Sequence, residues 1–94
     1  MSDYHEVPDE LSDKTRSLTR ALNSLKEEVE AVDWYNQRRD LEKDQELKDI
    51  LKHNMLEEIE HACMTIEWLR RNMEGWDEEL TTYLFKDEKI TDLE

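Results

Sequence analysis

The sequence predicts an all-α protein: an antiparallel two-helix hairpin followed by a short C-terminal helix. Glycine and proline, which interrupt helices, each occur only once among the 94 residues. Apolar side chains recur at alternating steps of three and four along two long segments, the pattern of amphipathic helices. Charged residues make up 41% of the chain and hydrophobic ones 36%, so a chain of this size can bury little apolar surface alone. We therefore expect two copies to complete a four-helix bundle across a dimer.

The first helix is expected after a polar tail, residues 1–11, which we predict to be flexible. Ser12 is suited to cap the helix, and Asp13 carries negative charge in the first turn, where the helix dipole favours it. Positive charge on Arg38 and Arg39 suits the helix C-terminus. Between these ends runs an apolar stripe formed by Leu18, Leu22, Leu25, Val29 and Val32.

The second helix follows a short connection, Asp40–Asp44, whose length favours an antiparallel hairpin. It also ends in a basic pair, Arg70 and Arg71, before Asn72 and Gly75 interrupt it. Its apolar face consists of Leu47, Ile50, Leu51, Met55, Ala62, Ile66 and Leu69.

A short third helix is predicted after Gly75. Its inward-facing residues are expected to be Trp76, Leu80, Tyr83 and Leu84. Residues 12–85 then form one helical domain, and residues 86–94 form a polar tail.

The chain is strongly acidic, with 26 acidic and 13 basic residues and a net charge of −13. This charge opposes binding to nucleic acid and anionic lipid and favours binding of cations. The single cysteine, Cys63, cannot form a bridge within the chain, which fits a reducing cytoplasm. No long apolar run is present, so we expect neither a membrane span nor a signal peptide.

Three polar residues interrupt the apolar faces of the two long helices. Glu28 lies three residues after Leu25 in the first stripe, whereas Glu58 and His61 lie within the second. A buried carboxylate is very costly unless it is neutralised, paired or bound to a metal. The three residues therefore need a common explanation.

The predicted positions of these three residues along the hairpin, counted from the turn, indicate a metal site. The mean of 28 and 58 is 43, inside the connection, so Glu28 and Glu58 should lie opposite one another, with His61 one turn further along. A bound cation would relieve the repulsion between the carboxylates. Two chains supply a Glu from each of two helices and Glu-x-x-His from each of the other two, the ligand set of di-iron carboxylate bundles.

Two other interpretations of these residues remain open. The same ligands could hold zinc or manganese, since the order of metal affinities favours zinc over iron. The chain could also be a non-catalytic helical interaction module whose buried polar residues only set the register. Glu27 and Glu30, which flank Glu28, fit a solvated face or a second cation site between copies.

The sequence resembles the encapsulated ferritins, ferritin-like proteins carried inside encapsulin shells. The resemblance extends over about residues 12–92. It is densest in EEVEAVDWY (Glu27–Tyr35), HNMLEEIEHACMTIEWLRRN (His53–Asn72) and TYLF (Thr82–Phe85).

This resemblance implies a ferroxidase that oxidises Fe(II) to Fe(III) with O2. Glu28, Glu58 and His61 correspond to the ligands of a di-iron centre formed only between two protomers. The resemblance further implies an outer metal site, for iron or Ca²⁺, at Glu27 and Glu30, and a place beside the centre for Trp34 and Tyr35.

The resemblance also implies partners and a location. It implies a ring of dimers, typically a decamer, inside an encapsulin nanocompartment in the cytoplasm, where the shell holds the iron mineral. Family members usually carry a shell-targeting peptide in a C-terminal tail, which is not recognisable in the final residues, ITDLE.

Overall fold

A computed structural model describes residues 4–94 and confirms the all-α class. No strand occurs in this part of the chain, and residues 1–3 of the predicted N-terminal tail lie outside it. The helices are α1 (Asp13–Leu41), α2 (Gln45–Asn72) and α3 (Trp76–Tyr83), with short 3₁₀ turns at Pro8–Glu10 and Ile90–Asp92.

The two ends of α1 follow from its local sequence. Ser12 caps the helix as predicted, because its hydroxyl oxygen accepts a hydrogen bond from the backbone N–H of Thr15 at 3.0 Å. At the other end, the N–H of Glu42 still donates to the carbonyl of Arg38 at 3.0 Å. The helix therefore continues through Leu41, beyond the predicted basic end, since no glycine or proline stops it.

Replacing the capping residue should weaken the hairpin measurably. We expect Ser12→Ala to lower the free energy of unfolding by about 1 kcal/mol, because an N–H at the helix start loses its partner. Urea denaturation followed by far-UV circular dichroism, at one protein concentration, measures this loss. Ser24→Ala, an exposed change inside α1, is the control and should not destabilise the chain. Equal losses in both variants would contradict the capping role.

The connection between α1 and α2 turns the chain back on itself within residues 42–44. Glu42 Oε1 accepts both of the following backbone N–H groups at 3.1 Å, and Asp44 caps α2 with its side chain. At the far end, Lys14 Nζ donates to Asn72 Oδ1 at 3.0 Å. The start of α1 therefore lies beside the end of α2, which confirms the antiparallel hairpin.

The hairpin buries little of its apolar surface. Among residues 4–94 only Ala62 and Leu69 are buried. Apolar residues of both predicted stripes remain open to solvent, with Val29 56% and Ile50 50% exposed. Two helices cover only one side of each stripe.

No helix in the described part of the chain is long and apolar enough to cross a membrane.

The third helix is joined to α2 through a sharp turn and an ion-pair network. Gly75 takes a φ of +100°, which a residue with a Cβ adopts only at a cost in strain. Arg70 then links the helices: its guanidinium donates to Glu67 at 2.7 Å and to Asp77, in the first turn of α3, at 2.8 Å. Arg71 adds a second donor to Glu67 at 2.7 Å.

The inward face of α3 is shorter than predicted. Trp76, Leu80 and Tyr83 are partly buried. Leu84, however, is 45% exposed and follows the helix in an extended conformation, so its prediction as an inward residue is wrong for the single chain.

The network predicts an acid-sensitive attachment of α3. Hydrogen bonds from Arg70 and then Arg71 lower the pKa of Glu67 from 4.5 to about 2. A lowered pKa stabilises the folded chain above pH 4.5, and this contribution is lost as the pH falls through about 2. Glu67 holds the Arg70 guanidinium that donates to Asp77, so Glu67→Gln should loosen α3 at neutral pH and remove that part of the acid dependence.

In a chain whose other two tryptophans, Trp34 and Trp68, are replaced by phenylalanine, the fluorescence of Trp76 during acid titration measures this effect. The indole of Trp76 lies in the first turn of α3 and donates to Met73 Sδ at 3.3 Å. Glu74→Gln removes an exposed charge nearby and is the control. Titration curves that coincide for Glu67→Gln and the wild type would refute the role of Glu67.

Candidate metal centre

Two of the predicted ligands lie together on α2. Glu58 and His61 are one turn apart, and Nδ1 of His61 is 3.8 Å from Oε2 of Glu58. A divalent transition metal binds such nitrogen and oxygen atoms at about 2.0–2.2 Å each. The 3.8 Å gap is slightly shorter than two such bonds and is compatible with one shared cation. The ligand role of both residues stays a prediction.

The third predicted ligand, Glu28, carries a buried oxygen that lacks a partner. Its Oε1 accepts a hydrogen bond from Thr65 Oγ1 at 3.2 Å, whereas Oε2 is buried and has no hydrogen-bond partner within the described residues. A carboxylate oxygen removed from water without a donor or cation costs free energy. The donor set therefore suits a cation at this oxygen.

The direction of the side chains explains why Glu28 contacts Thr65. Side chains tilt towards the N-terminus of their own helix. In an antiparallel hairpin, Glu28 on α1 and Thr65 on α2 therefore lean towards each other. Glu58, seven residues before Thr65 on the same face of α2, leans the same way as Thr65 and therefore away from the Glu28–Thr65 contact.

A single chain does not complete a metal site on these ligands. Within residues 4–94, no three acidic, histidine or cysteine side chains come together in a cluster that could hold a metal ion. The chain thus brings Glu58 and His61 together and holds Glu28 on the facing helix. The equal height of Glu28 and Glu58 stays a prediction.

Glu57, an exposed residue that the sequence did not assign to the site, lies between two histidines on α2. Its Oε2 lies 3.9 Å from Nε2 of His61, and its Oε1 lies 3.6 Å from Nε2 of His53. The signal was present in the spacing of four residues between His53, Glu57 and His61, which places them in one row along α2.

The predicted outer site lies on a different face of α1. Glu27, Glu30 and Trp34 follow one another at steps of three and four, so they share a face. Glu27 is exposed, Glu30 is partly buried, and Trp34 is 51% exposed. The metal-binding role of the two carboxylates stays a prediction.

Tyr35 shares the face of Glu28, because the two residues are seven positions apart on α1. The guanidinium of Arg38 lies 5.2 Å from the centre of the Tyr35 ring, a cation–π contact that holds the ring. Its place beside a metal stays a prediction.

Large apolar side chains remain exposed around this region. Exposed side chains of this size are typical of interaction surfaces where they form one patch, and on a chain with 41% charged residues they stand out. They comprise Leu22, Val29 and Trp34 on α1, and Leu56, Ile59, Met64 and Trp68 on α2.

The sequence of this chain is similar to those of known proteins. The model of the EncFtn-like family matches residues 3–87. A "Ferritin-like protein" of Thermotoga maritima is 60% identical over 91 residues, 97% of this chain and 80% of the relative. An "Encapsulated ferritin-like protein" of Rhodospirillum rubrum is 53% identical over 90 residues, 96% of this chain and 64% of the relative. This chain therefore spans less than two thirds of the latter protein.

A solved structure has the same fold. The crystal structure of protein ne0167 from Nitrosomonas europaea superposes with a TM-score of 0.91 at 54% sequence identity. The match covers 95% of this chain and 98% of that one.

Proposed function

The chain belongs to the EncFtn-like family, and on this premise we propose that it is a ferroxidase whose substrate, Fe(II), binds between two copies of the chain. Membership supports an iron-related, ferritin-like function. The finer assignment depends on the donor atoms of Glu28, Glu58 and His61.

The observation that carries the proposal is the buried Oε2 of Glu28, which has no partner in residues 4–94. A cation between protomers would supply that partner. The Glu58–His61 pair, with its 3.8 Å gap, supplies an oxygen and a nitrogen to the same kind of ion. Carboxylate and imidazole together suit iron.

A second copy is required because one chain holds too few donors. Two chains related by a twofold axis offer four carboxylates and two imidazoles, enough for two iron ions. The anionic carboxylates stabilise the charge that iron gains when each Fe(II) gives one electron to O2. Tyr35 and Trp34 are proposed to lie beside this shared site.

The outer carboxylates are proposed to attract the substrate. Glu27 and Glu30, together with the net charge of −13, would raise the local concentration of Fe(II) or Ca²⁺. These cations would then reach the shared site from the outer face of α1.

Assembly and location follow from the same proposal. The exposed apolar side chains of both long helices support association into dimers and then a closed ring, for which we propose a decamer. One relative is named an encapsulated ferritin-like protein. We propose that this chain likewise oxidises iron inside an encapsulin shell, which stores the product.

The direct test is aerobic oxidation of Fe(II), followed by the growth of ferric absorbance. The wild-type protein should accelerate oxidation over buffer and bind iron in a fixed ratio to the dimer. A rate equal to that of buffer would refute the ferroxidase. Stoichiometric zinc or manganese with no oxidation of iron would favour the alternative metals, and no metal binding would favour the interaction module.

A further inference from the structure

We propose that a cavity at the closed end of the hairpin binds inorganic hydrogenphosphate, at a site separate from the candidate metal centre. The cavity has a volume of about 320 Å³ and lies where the last turn of α1 meets the first turns of α2. Lys48, in its lining, precedes Glu58 by ten residues, which is roughly 15 Å along the axis of α2. The side chains that line the cavity are those of Arg39, Asp40, Gln45, Lys48 and Lys52.

The carboxylates near the cavity do not neutralise its basic side chains. Residues 38–52 contain five basic and five acidic residues, so this stretch is neutral in a chain whose net charge is −13. Three of its carboxylates have other partners. Glu42 accepts two backbone N–H groups of the connection, Asp44 accepts the N–H of Leu47, and Asp49 accepts the side-chain amide of Gln45 at 2.8 Å.

The three cations that line the cavity have no partner among residues 4–94. The side chains of Arg39, Lys48 and Lys52 take part in no ion pair and no hydrogen bond there. Arg39 and Lys48 are nevertheless partly buried. Lys48 and Lys52 are four residues apart on α2, a spacing at which like charges repel one another. An anion bound between the three cations would relieve this repulsion.

The donors in the cavity suit an oxyanion. Arginine and lysine side chains bind phosphate oxygens through short, charge-assisted hydrogen bonds. Gln45 adds a further donor, because its amide has two N–H groups and only one of them is used by Asp49. A cavity of about 320 Å³ also leaves room for water molecules that bridge the anion to the more exposed side chains.

Asp40 determines which oxyanion fits. An ionised carboxylate can only accept hydrogen bonds, so it repels an anion without a proton, such as sulfate or the dianion of a phosphate ester. Hydrogenphosphate keeps one P–O–H group, which can donate to Asp40 while the other oxygens accept from the cations. The same chemistry therefore favours free phosphate over the phosphoryl group of a nucleotide or a lipid.

Isothermal titration calorimetry with inorganic phosphate tests the site, using the full chain without metal and at low ionic strength. The wild type should bind phosphate saturably. Lys48→Gln should weaken binding about tenfold, because it removes one charge-assisted hydrogen bond. Glutamine and lysine have similar helix propensities, so the variant should fold, and far-UV circular dichroism checks this.

The matched control is Lys43→Gln. It removes the same charge from an exposed position in the connection, outside the lining of the cavity, and should bind phosphate like the wild type. An equal loss in Lys43→Gln and Lys48→Gln would mean that only the overall charge matters, and would overturn the proposal. A folded wild type that does not bind phosphate saturably would overturn it as well.

Titrations with sulfate and with methyl phosphate test the selectivity assigned to Asp40. The wild type should bind both at least about tenfold more weakly than inorganic phosphate. Asp40→Asn, whose amide can donate, should bind sulfate more tightly than the wild type does. Sulfate or methyl phosphate binding as tightly as inorganic phosphate to the wild type would overturn the assignment of hydrogenphosphate. Because these titrations contain no metal, their result is independent of whether the chain oxidises iron.

Discussion

Glu58→Ala and His61→Ala should each remove most of the acceleration of Fe(II) oxidation that the wild type is expected to show over buffer. The two side chains are neighbours on α2, with Nδ1 of His61 3.8 Å from Glu58. Each supplies a donor atom to the same proposed ion, so the loss should exceed the 10- to 100-fold loss, about 1.4–2.7 kcal/mol, typical of groups that only orient a ligand. Stopped-flow measurement of ferric absorbance checks it.

The matched control for these variants is Glu60→Ala on the same helix. It removes the same charge as Glu58→Ala from an exposed position. Far-UV circular dichroism should show equal helix content in all three variants. Wild-type oxidation rates in both Glu58→Ala and His61→Ala would contradict the assignment, as would an equal loss in Glu60→Ala.

Metal ions should drive association of the chain. In the proposed dimer without metal, carboxylates of the two copies would face one another, and their repulsion would oppose the apolar attraction. One occupied site per interface, at a free metal concentration about 100 times its Kd, adds about 2.7 kcal/mol, roughly a hundredfold in the association constant. Light scattering with and without Fe(II), under anaerobic conditions, measures the change.

Glu28→Gln distinguishes the effect of carboxylate repulsion on association from the effect of metal binding. The neutral amide removes the carboxylate charge of Glu28, whose Oε2 is buried without a hydrogen-bond partner among residues 4–94. In the absence of metal this variant should associate more strongly than the wild type, and metal should strengthen its association less. Asp33→Asn, five residues along α1 at an exposed position with no proposed metal role, is the control. Association that ignores metal in the wild type would favour the non-catalytic interaction module.

The helices could be predicted from the sequence because their signals are local. The spacing of Leu18, Leu22 and Leu25 recurs within each turn, and Ser12 caps α1 through an N–H only three residues away. The length of the connection then determined the antiparallel direction. The position of Leu84 could not be predicted in the same way, because α3 ends at Tyr83 and the chain leaves the helix there.

The same distinction between local signals and tertiary contacts applies to the candidate site. Sequence by itself determined that Glu28, Glu58 and His61 interrupt apolar faces, since helical periodicity assigns each residue to a face. The spacing of four residues places His53, Glu57 and His61 in one row, but it did not reveal how closely Glu57 approaches the two rings, because rotamers decide that distance.

What the sequence alone determined, then, is the helical hairpin and the face on which each chemically unusual residue lies. Only the tertiary structure decided that Glu28 Oε1 meets Thr65 while its Oε2 has no partner among residues 4–94. The physical reason is that helix faces follow from backbone geometry of a few residues. The partners of a side chain instead depend on how the two helices tilt their side chains towards each other. Here the two residues in contact, Glu28 and Thr65, are 37 positions apart in the sequence.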